Sequence, residues 1–318
     1  MKYRYLGNSN LKISAVGLGT WAYGNDTFGK VDDQQSIHAI RAAVDSGINL
    51  VDTAPAYGDG HAEEVVGKAI AEIRDKVIIA TKCGTHRDGP KYIRDLSPKR
   101  IRKDIEDSLR RLNIEQIDLY QIHWPDPDTP LEESVEELLK LKKEGKFKYL
   151  GVCNFEVELM EQISEMTDII SLQPQYSLLK RDIEAKILAY LIENNLGALS
   201  YGTLGGGILS GKYKERPQFD DEKDNRAGFY PFFKKENWPQ TQSLISLLKE
   251  IAEDHNQTPA QIAINWSINR PGITTALVGA KNKKQARENA AAADFELSES
   301  EMIALTHESD KVIKNLNI

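Results

Sequence analysis

The sequence predicts a (β/α)8 barrel, the TIM-barrel form of the α/β class, with an N-terminal β-hairpin, a long loop after strand seven and a C-terminal helix. Three observations carry this. Eight short apolar runs alternate with amphipathic stretches along the 318 residues. Several runs are almost continuously apolar, as expected for strands buried on both faces. No GxGxxG follows the first run, which argues against the doubly wound open sheet, the alternative that shares the βαβ rhythm.

Each element follows from local pattern. Residues 2–6 and 11–14 alternate apolar and polar side chains around the turn Gly7-Asn-Ser-Asn10, so they read as a hairpin. The apolar runs are 15–20, 48–54, 77–83, 117–123, 149–154, 169–173, 198–201 and 273–279. Between them, residues 98–112 place Ile101, Ile105, Leu109 and Leu112 at spacings of four, four and three, with Arg and Asp on the opposite face. Ser97 then supplies an N-cap and Pro98 a first helical residue. Residues 131–144 and 183–194 read as helices stopped by Gly145 and Gly197. A barrel needs roughly 250 residues. The surplus lies in the hairpin, in a helix near 299–308 and in an interruption over about 203–242. The interruption holds Gly205-Gly-Gly207, a polar run at 215–226 and the aromatics Phe229, Tyr230, Phe232, Phe233 and Trp238. A loop of that length in a compact domain is usually functional. With no internal repeat, low-complexity tract or linker, residues 1–318 read as one domain.

Composition narrows the function classes. At 40% hydrophobic and 28% charged, the chain is not an intrinsically disordered one. With 41 basic against 48 acidic residues, the net charge of −7 gives no reason to expect nucleic-acid or anionic-membrane partners. Cys83 and Cys153 are the only cysteines, too few for a disulfide framework or a thiolate metal site, so no metal is expected. This usage fits a reducing cytoplasm. The N-terminus lacks a signal-peptide apolar stretch, and no window approaches the ~20 apolar residues of a membrane span. Asn315-Leu-Asn-Ile318 matches no lipidation signal.

In barrel enzymes the chemistry sits at the C-terminal ends of the strands. There the runs carry Asp52, with Tyr57 shortly after it, then Lys82, His123, Asn154, Gln173 and Tyr201. Each alone has a structural explanation: a loop cap, a rim lysine, a satisfied buried histidine, a packing tyrosine. Together they suit one task. Tyrosine is a poor proton donor at neutral pH, because its pKa is about 10. A nearby lysine cation favours the phenolate and lowers that pKa. Asp52 supplies the counter-ion a buried Lys82 needs. A histidine can hydrogen-bond a substrate oxygen. The set fits protonation of an oxygen gaining negative charge, as when hydride adds to a carbonyl. A nicotinamide must bring the hydride.

Seven motifs then carry a resemblance: Gly17-Leu-Gly-Thr-Trp21, Asp52-Thr-Ala-Pro-Ala-Tyr-Gly58, Ala80-Thr-Lys82, Asp118-Leu-Tyr-Gln-Ile-His123, Gly151-Val-Cys-Asn-Phe155, Gly211-Lys-Tyr213 and Gln285-Ala-Arg-Glu-Asn289. In this order, over nearly the whole chain, they resemble the aldo-keto reductase superfamily. The chain is most similar to the bacterial branch of general-stress and inositol-operon reductases, which is related to potassium-channel β subunits. The resemblance implies that Tyr57 is the general acid, that Lys82 and Asp52 tune it, and that His123 orients the carbonyl. Asn154 and Gln173 would hold the nicotinamide carboxamide, Tyr201 would stack on the ring and Trp21 would line the substrate pocket. The implied cofactor cleft continues along Gly19, Thr20, Trp21, Asp52 and Cys153. In the long loop it takes in Gly202, Thr203, Leu204, Gly206, Lys212 and Arg226. At the adenosine end it takes in Gly279, Lys281, Gln285, Glu288 and Asn289.

Two or three of Lys212, Arg226 and Lys281 on a 2′-phosphate would favour NADPH over NADH. Three departures from the pattern matter. Cys83 follows Lys82 directly, and like Cys153 it reads as a buried, inert thiol. Cys153 stands where the family usually has serine, and a thiol is a weak donor. Gln285 stands where many members have arginine, which leaves NADH as a possible cofactor. Trp21, Tyr23, Tyr92, Trp124 and the aromatics at 229–233 suggest an aromatic-rich pocket for a small carbonyl substrate. Aldehydes and α-dicarbonyls are expected to be better substrates than free hexoses. The resemblance allows a monomer or a homo-oligomer. Two other readings stay open: an NADPH-binding regulatory or redox-sensing subunit, and a Schiff-base aldolase using Lys82 as nucleophile.

Overall fold

The structure, a computed structural model, describes residues 1–88, 91–219 and 224–317. Residues 220–223 of the polar run and the C-terminal Ile318 lie outside the described residues. The chain opens with an antiparallel hairpin, β1 (Tyr3–Tyr5) and β2 (Lys12–Ser14). Then come β3 (Val16–Gly19), α1 (Asp33–Asp45), β4 (Leu50–Asp52), α2 (His61–Ile70) and β5 (Ile78–Cys83). A second hairpin follows, β6 (Thr85–Asp88) with β7 (Lys91–Arg94). The alternation resumes with α3 (Pro98–Leu112), β8 (Ile117–Ile122), α4 (Leu131–Lys143), β9 (Phe147–Cys153), α5 (Val157–Ser164), β10 (Ser171–Gln173), α6 (Ile187–Glu193) and β11 (Gly197–Ser200). After the long loop, which contains α7 (Arg226–Phe229), come α8 (Trp238–Asp254), α9 (Pro259–Ile268), β12 (Ile273–Gly279), α10 (Lys283–Ala291) and α11 (Glu299–Asn315).

The eight predicted runs are the eight strands of a closed parallel barrel, ordered β3-β4-β5-β8-β9-β10-β11-β12, with β12 pairing back to β3. The sequence encodes the helix ends locally. The Ser97 hydroxyl accepts from the Arg100 N–H at the start of α3, with Pro98 at the first helical position. Ser298 and Glu301 form a capping box on α11, and Thr258 and Gln261 form one on α9.

Four boundaries differ from expectation. The helix expected over 183–194 is a 3₁₀ turn at Asp182–Glu184 followed by the shorter α6. Strand β9 begins at Phe147, because that buried aromatic pairs with Ile117 at the edge of the core. Helix α11 continues to Asn315, where Val312 still packs inward. The loop after β11 ends at Trp238, where α8 starts, rather than at Gln242.

The hairpin β1–β2 plugs one end of the barrel. Leu6, Leu11 and Ile13 pack with Leu50, Ala80, Leu119, Ile170, Leu199 and Leu277, all buried. Gly7 makes this possible. Its φ is +51°, and a Cβ there would lie 2.2 Å from the Ile170 carbonyl oxygen. Side chains two residues further along a strand point the same way, one layer higher. Leu50, Ala80 and Leu119 are therefore followed by Asp52, Lys82 and Gln121. The apolar plug fills one end, and the polar layer faces the other, at the C-terminal ends of the strands.

Candidate active site

Lys82 is the centre of the polar layer. Its Nζ donates to Asp52 Oδ2 at 2.7 Å, to the Thr53 carbonyl at 2.8 Å and to the Tyr57 hydroxyl oxygen at 3.2 Å. Both Lys82 and Asp52 are buried, so neither charge would be tolerated without the other. Burial disfavours the Lys82 ammonium, but Asp52 and Tyr57 outweigh it, and its pKa rises above the ordinary lysine value. Asp52 is held in turn. Its Oδ1 accepts from Gln173 Nε2 at 2.8 Å and from Gln121 Nε2 at 3.3 Å.

Tyr57 lies on the loop after β4. Gly58 has a φ of +63° and packs on Gly24 so closely that a Cβ would lie 2.1 Å from the Gly24 carbonyl oxygen. The Gly58 N–H donates to Asp26 Oδ2 at 3.0 Å. The Tyr57 ring stacks on Trp21 at 5.9 Å and meets His123 edge-on at 5.9 Å. The expectation that Lys82 would bring the Tyr57 pKa below its usual value needs correction. Burial raises the Tyr57 pKa, and the Lys82 charge offsets only part of that. Tyr57 is thus protonated at neutral pH. Burial, with Lys82 nearby, pushes the His123 pKa well below the usual imidazole range, so the ring is neutral. Its buried Nδ1 has no hydrogen-bond partner among the described residues.

The structure brings Asn154 and Tyr201 to the same rim. The Tyr201 hydroxyl donates to Asn154 Oδ1 at 3.0 Å, and Asn154 Nδ2 donates to the His123 carbonyl at 3.1 Å. Asn154 has a φ of +59°, a left-handed conformation that asparagine tolerates better than most residues. Cys153 points instead into the polar layer beneath, where it feels the charges of Lys82 and Asp52. Burial raises the pKa of both cysteines, and both are buried free thiols.

Two cavities meet at this layer. A cavity of about 280 Å³ is lined by Trp21, Tyr57, Thr85, Tyr92, Arg94, His123, Trp124, Asn154 and Phe229, among others. A cavity of about 380 Å³ runs away from it past Gly19, Thr20, Gly202, Thr203, Leu204, Gly206, Lys212, Arg226, Gly279, Lys281, Gln285, Glu288 and Asn289. Trp21, Tyr57, Gln173 and Tyr201 line both, so Tyr57 stands at the junction. Of the residues implied for the cofactor, only Cys153 lines neither cavity and only Asn154 lines the smaller one alone. Four aromatics expected in the substrate pocket are elsewhere, among them Tyr230, which lines only the larger cavity. Tyr23 is buried and donates to the Ala280 carbonyl at 2.7 Å, and Phe232 and Phe233 belong to the core.

The larger cavity has the features a dinucleotide requires. Gly206 and Gly207 have φ values of +70° and +99°, and a Cβ on Gly207 would lie 3.8 Å from Lys212 Nζ and 3.9 Å from Arg226 Nη1. Two cations therefore face a bare stretch of backbone, an arrangement suited to phosphate groups. Arg226 is braced by Asp224 and by the Tyr213 hydroxyl at 2.9 Å. Lys212 lies over the Tyr213 ring and has no carboxylate partner among the described residues. At the far end Gln285 Oε1 accepts from the Lys281 N–H at 2.8 Å, and Asn289 Nδ2 donates to the Gly279 carbonyl at 3.0 Å.

Residues 15–309 match the Aldo/keto reductase family. The chain belongs to this family. Among relatives, it is 39% identical over 288 residues to the aldo-keto reductase YhdN of Bacillus subtilis (strain 168), covering 90% of this chain and 86% of that protein. It is 31% identical to the NADH-specific methylglyoxal reductase of Escherichia coli (strain K12), covering 95% and 96%. Among solved structures, the glycerol dehydrogenase AKR11B4 from Gluconobacter oxydans superposes with a TM-score of 0.88 at 38% identity, over 99% of this chain and 96% of that one. An aldo/keto reductase from Klebsiella pneumoniae in complex with NADP and acetate gives 0.74 at 30%, over 95% and 93%. As a member of this family the chain is an oxidoreductase that uses a nicotinamide cofactor. Among the described residues no helix is long and apolar enough to cross a membrane, and no group of three or more side chains is placed to hold a metal ion.

Sequence reasoning missed three contributors. Gln121 was detectable, since it follows inward-facing Leu119 by two residues. Asp26 lies on a loop and Arg94 ends the short, polar strand β7, and neither left such a signal.

Proposed function

We propose that this protein reduces small aldehydes and ketones to alcohols, using NADPH in preference to NADH, with Tyr57 as the general acid. The observation that carries the reading is the 3.2 Å contact from Lys82 Nζ to the Tyr57 oxygen, braced by Asp52 at 2.7 Å, where the two cavities meet. When bound, the reduced nicotinamide supplies the hydride. The residues suited to hold it are Asn154, Gln173 and Tyr201 near the ring, and Lys212, Arg226, Lys281, Gln285 and Asn289 further along the cavity.

The protein's part is proton and charge management. Tyr57, protonated at rest, gives its proton to the substrate oxygen as negative charge develops there. Lys82 already donates to the Tyr57 oxygen, so it stabilises the phenolate formed in that step. Asp52 keeps Lys82 charged and correctly aimed. Neutral His123 donates a hydrogen bond to the substrate oxygen without competing as an acid. The aromatic walls of the smaller cavity exclude water and seat a small carbonyl compound.

Preference for NADPH is supported by the cations of the larger cavity and by the NADP-bound Klebsiella pneumoniae neighbour. Gln285 and the NADH-specific Escherichia coli relative bound that preference. The two buried free thiols fit a reducing, cytoplasmic setting. A charged Lys82 is a poor Schiff-base nucleophile, which argues against the aldolase reading. The test is consumption of NADPH, and separately NADH, over a panel of aldehydes and ketones. Turnover with NADPH preferred is expected. NADPH binding without consumption would overturn the reading in favour of a cofactor-sensing subunit, as would borohydride trapping of a carbonyl compound on Lys82 in favour of an aldolase.

A further inference from the structure

We propose that the preferred substrates are carbonyl compounds carrying an oxyanion, a carboxylate or phosphate, and that Arg94 selects them. This rests on the reductase reading and specifies its substrate class.

Arg94 ends β7, in the hairpin beside the smaller cavity. Its guanidinium lies 4.8 Å over the Trp124 ring, and both side chains line the cavity that Tyr57 and His123 also line. With His123 neutral, Arg94 is the only charged side chain, and there is no carboxylate, among the described residues lining that cavity. Asp95, next to Arg94 in the chain, and Asp126, two residues past Trp124, are both engaged elsewhere. Asp95 Oδ1 accepts from the Ser97 N–H at 2.9 Å, and Asp126 Oδ2 accepts from the Leu96 N–H at 2.8 Å and the Thr129 hydroxyl at 2.7 Å.

The second arginine of the same hairpin makes the contrast. Arg87 pairs with Asp26 at 3.2 Å and donates to the Tyr92 hydroxyl at 2.9 Å. Arg94 has no ion pair among the described residues. A guanidinium stacked on an indole still presents in-plane N–H donors, a geometry matched to a carboxylate or phosphate. The cavity thus has a proton-donating end at Tyr57 and a cationic side at Arg94. A substrate with its carbonyl at the first and an oxyanion at the second satisfies both.

The experiment compares kcat/KM for 4-carboxybenzaldehyde and for 4-formylphenyl phosphate, each divided by that for 4-methylbenzaldehyde, in wild type, Arg94→Met and Arg94→Lys. Wild type is expected to favour an anionic aldehyde, and the larger ratio names the anion. In Arg94→Met that ratio falls about tenfold, the scale of a hydrogen bond to a charged group, with the loss in KM. Arg94→Lys restores part of it. An unchanged ratio in Arg94→Met, or a wild-type preference for the neutral aldehyde, overturns the proposal. Absence of turnover with every aldehyde sinks the reductase reading instead. Tryptophan fluorescence titration with 4-carboxybenzaldehyde then decides the anion site: binding lost in Arg94→Met supports it, and binding unaffected or absent overturns it.

Discussion

Lys82 Nζ stands 3.2 Å from the Tyr57 hydroxyl oxygen and 2.7 Å from Asp52 Oδ2, so one ammonium links the proposed acid to a buried counter-charge. Lys82→Met is expected to lower turnover by roughly 10²–10⁴, the range for positioned acid–base groups, while NADPH affinity stays near wild type. It also leaves Asp52 buried without its cation, a loss of about 3–5 kcal/mol in stability. Asp52→Asn should lower turnover similarly and destabilise less, because the amide can still accept from Lys82. Stopped-flow turnover beside fluorescence titration of NADPH checks the division. Equal losses in affinity and turnover contradict it.

His123 is neutral in the folded protein because burial, with Lys82 close by, lowers its pKa well below 6.5. Its unfolded pKa is near 6.5, so below that pH the unfolded chain binds the extra proton. The stability that His123 allows is present above about pH 6.5 and lost as pH falls, at up to about 1.4 kcal/mol per pH unit. Urea denaturation of wild type and His123→Gln between pH 7.5 and 5.0 measures this. Wild type should lose stability faster with acidification, and parallel slopes would contradict the assignment. Imidazole resonances of His123 should stay in the neutral form from pH 8 to 6.

Asn154 combines a left-handed backbone with two side-chain hydrogen bonds, to Tyr201 and to the His123 carbonyl. Asn154→Ala should cost roughly 2–3 kcal/mol, adding a left-handed penalty to lost hydrogen bonds. Asn154→Gly relieves the backbone and should cost about 1 kcal/mol less. Chemical denaturation of both variants separates the two contributions. Equal destabilisation by Ala and Gly would show that the backbone conformation is not limiting.

Lys212 and Arg226 converge on the exposed backbone at Gly207. Lys212→Ala should weaken NADPH binding about tenfold, the scale of a charge-assisted contact, and leave NADH binding much less affected. Gln285→Arg should raise the NADPH-to-NADH preference. Dissociation constants for both cofactors check this, and parallel changes for the two would mean that these residues do not read the 2′-phosphate.

Much of the fold was legible because strands buried on both faces leave unbroken apolar runs, and all eight are barrel strands. The site was legible for a related reason. The last inward residue of a barrel strand has no apolar layer above it, so polar residues such as Asp52, Lys82 and Gln173 stand out at run ends. What was not legible depends on tertiary packing. The hairpin β6–β7 is short and polar, and its arginines gain meaning only from Asp26 and Trp124, far away in sequence. Tyr23 and Phe229 look alike as loop aromatics, yet one is a buried prop and the other a cavity wall. The direction of the Tyr57 shift required knowing how far burial outweighs the neighbouring charge.

The most direct test is Tyr57→Phe, assayed for aldehyde-dependent NADPH consumption and for NADPH binding on the same preparation. The substitution removes only the hydroxyl and leaves the ring against Trp21 and His123. Turnover is expected to fall by at least about 10² with NADPH affinity retained. Turnover within a few-fold of wild type would show that the proton comes from another group and would contradict the role given to Tyr57.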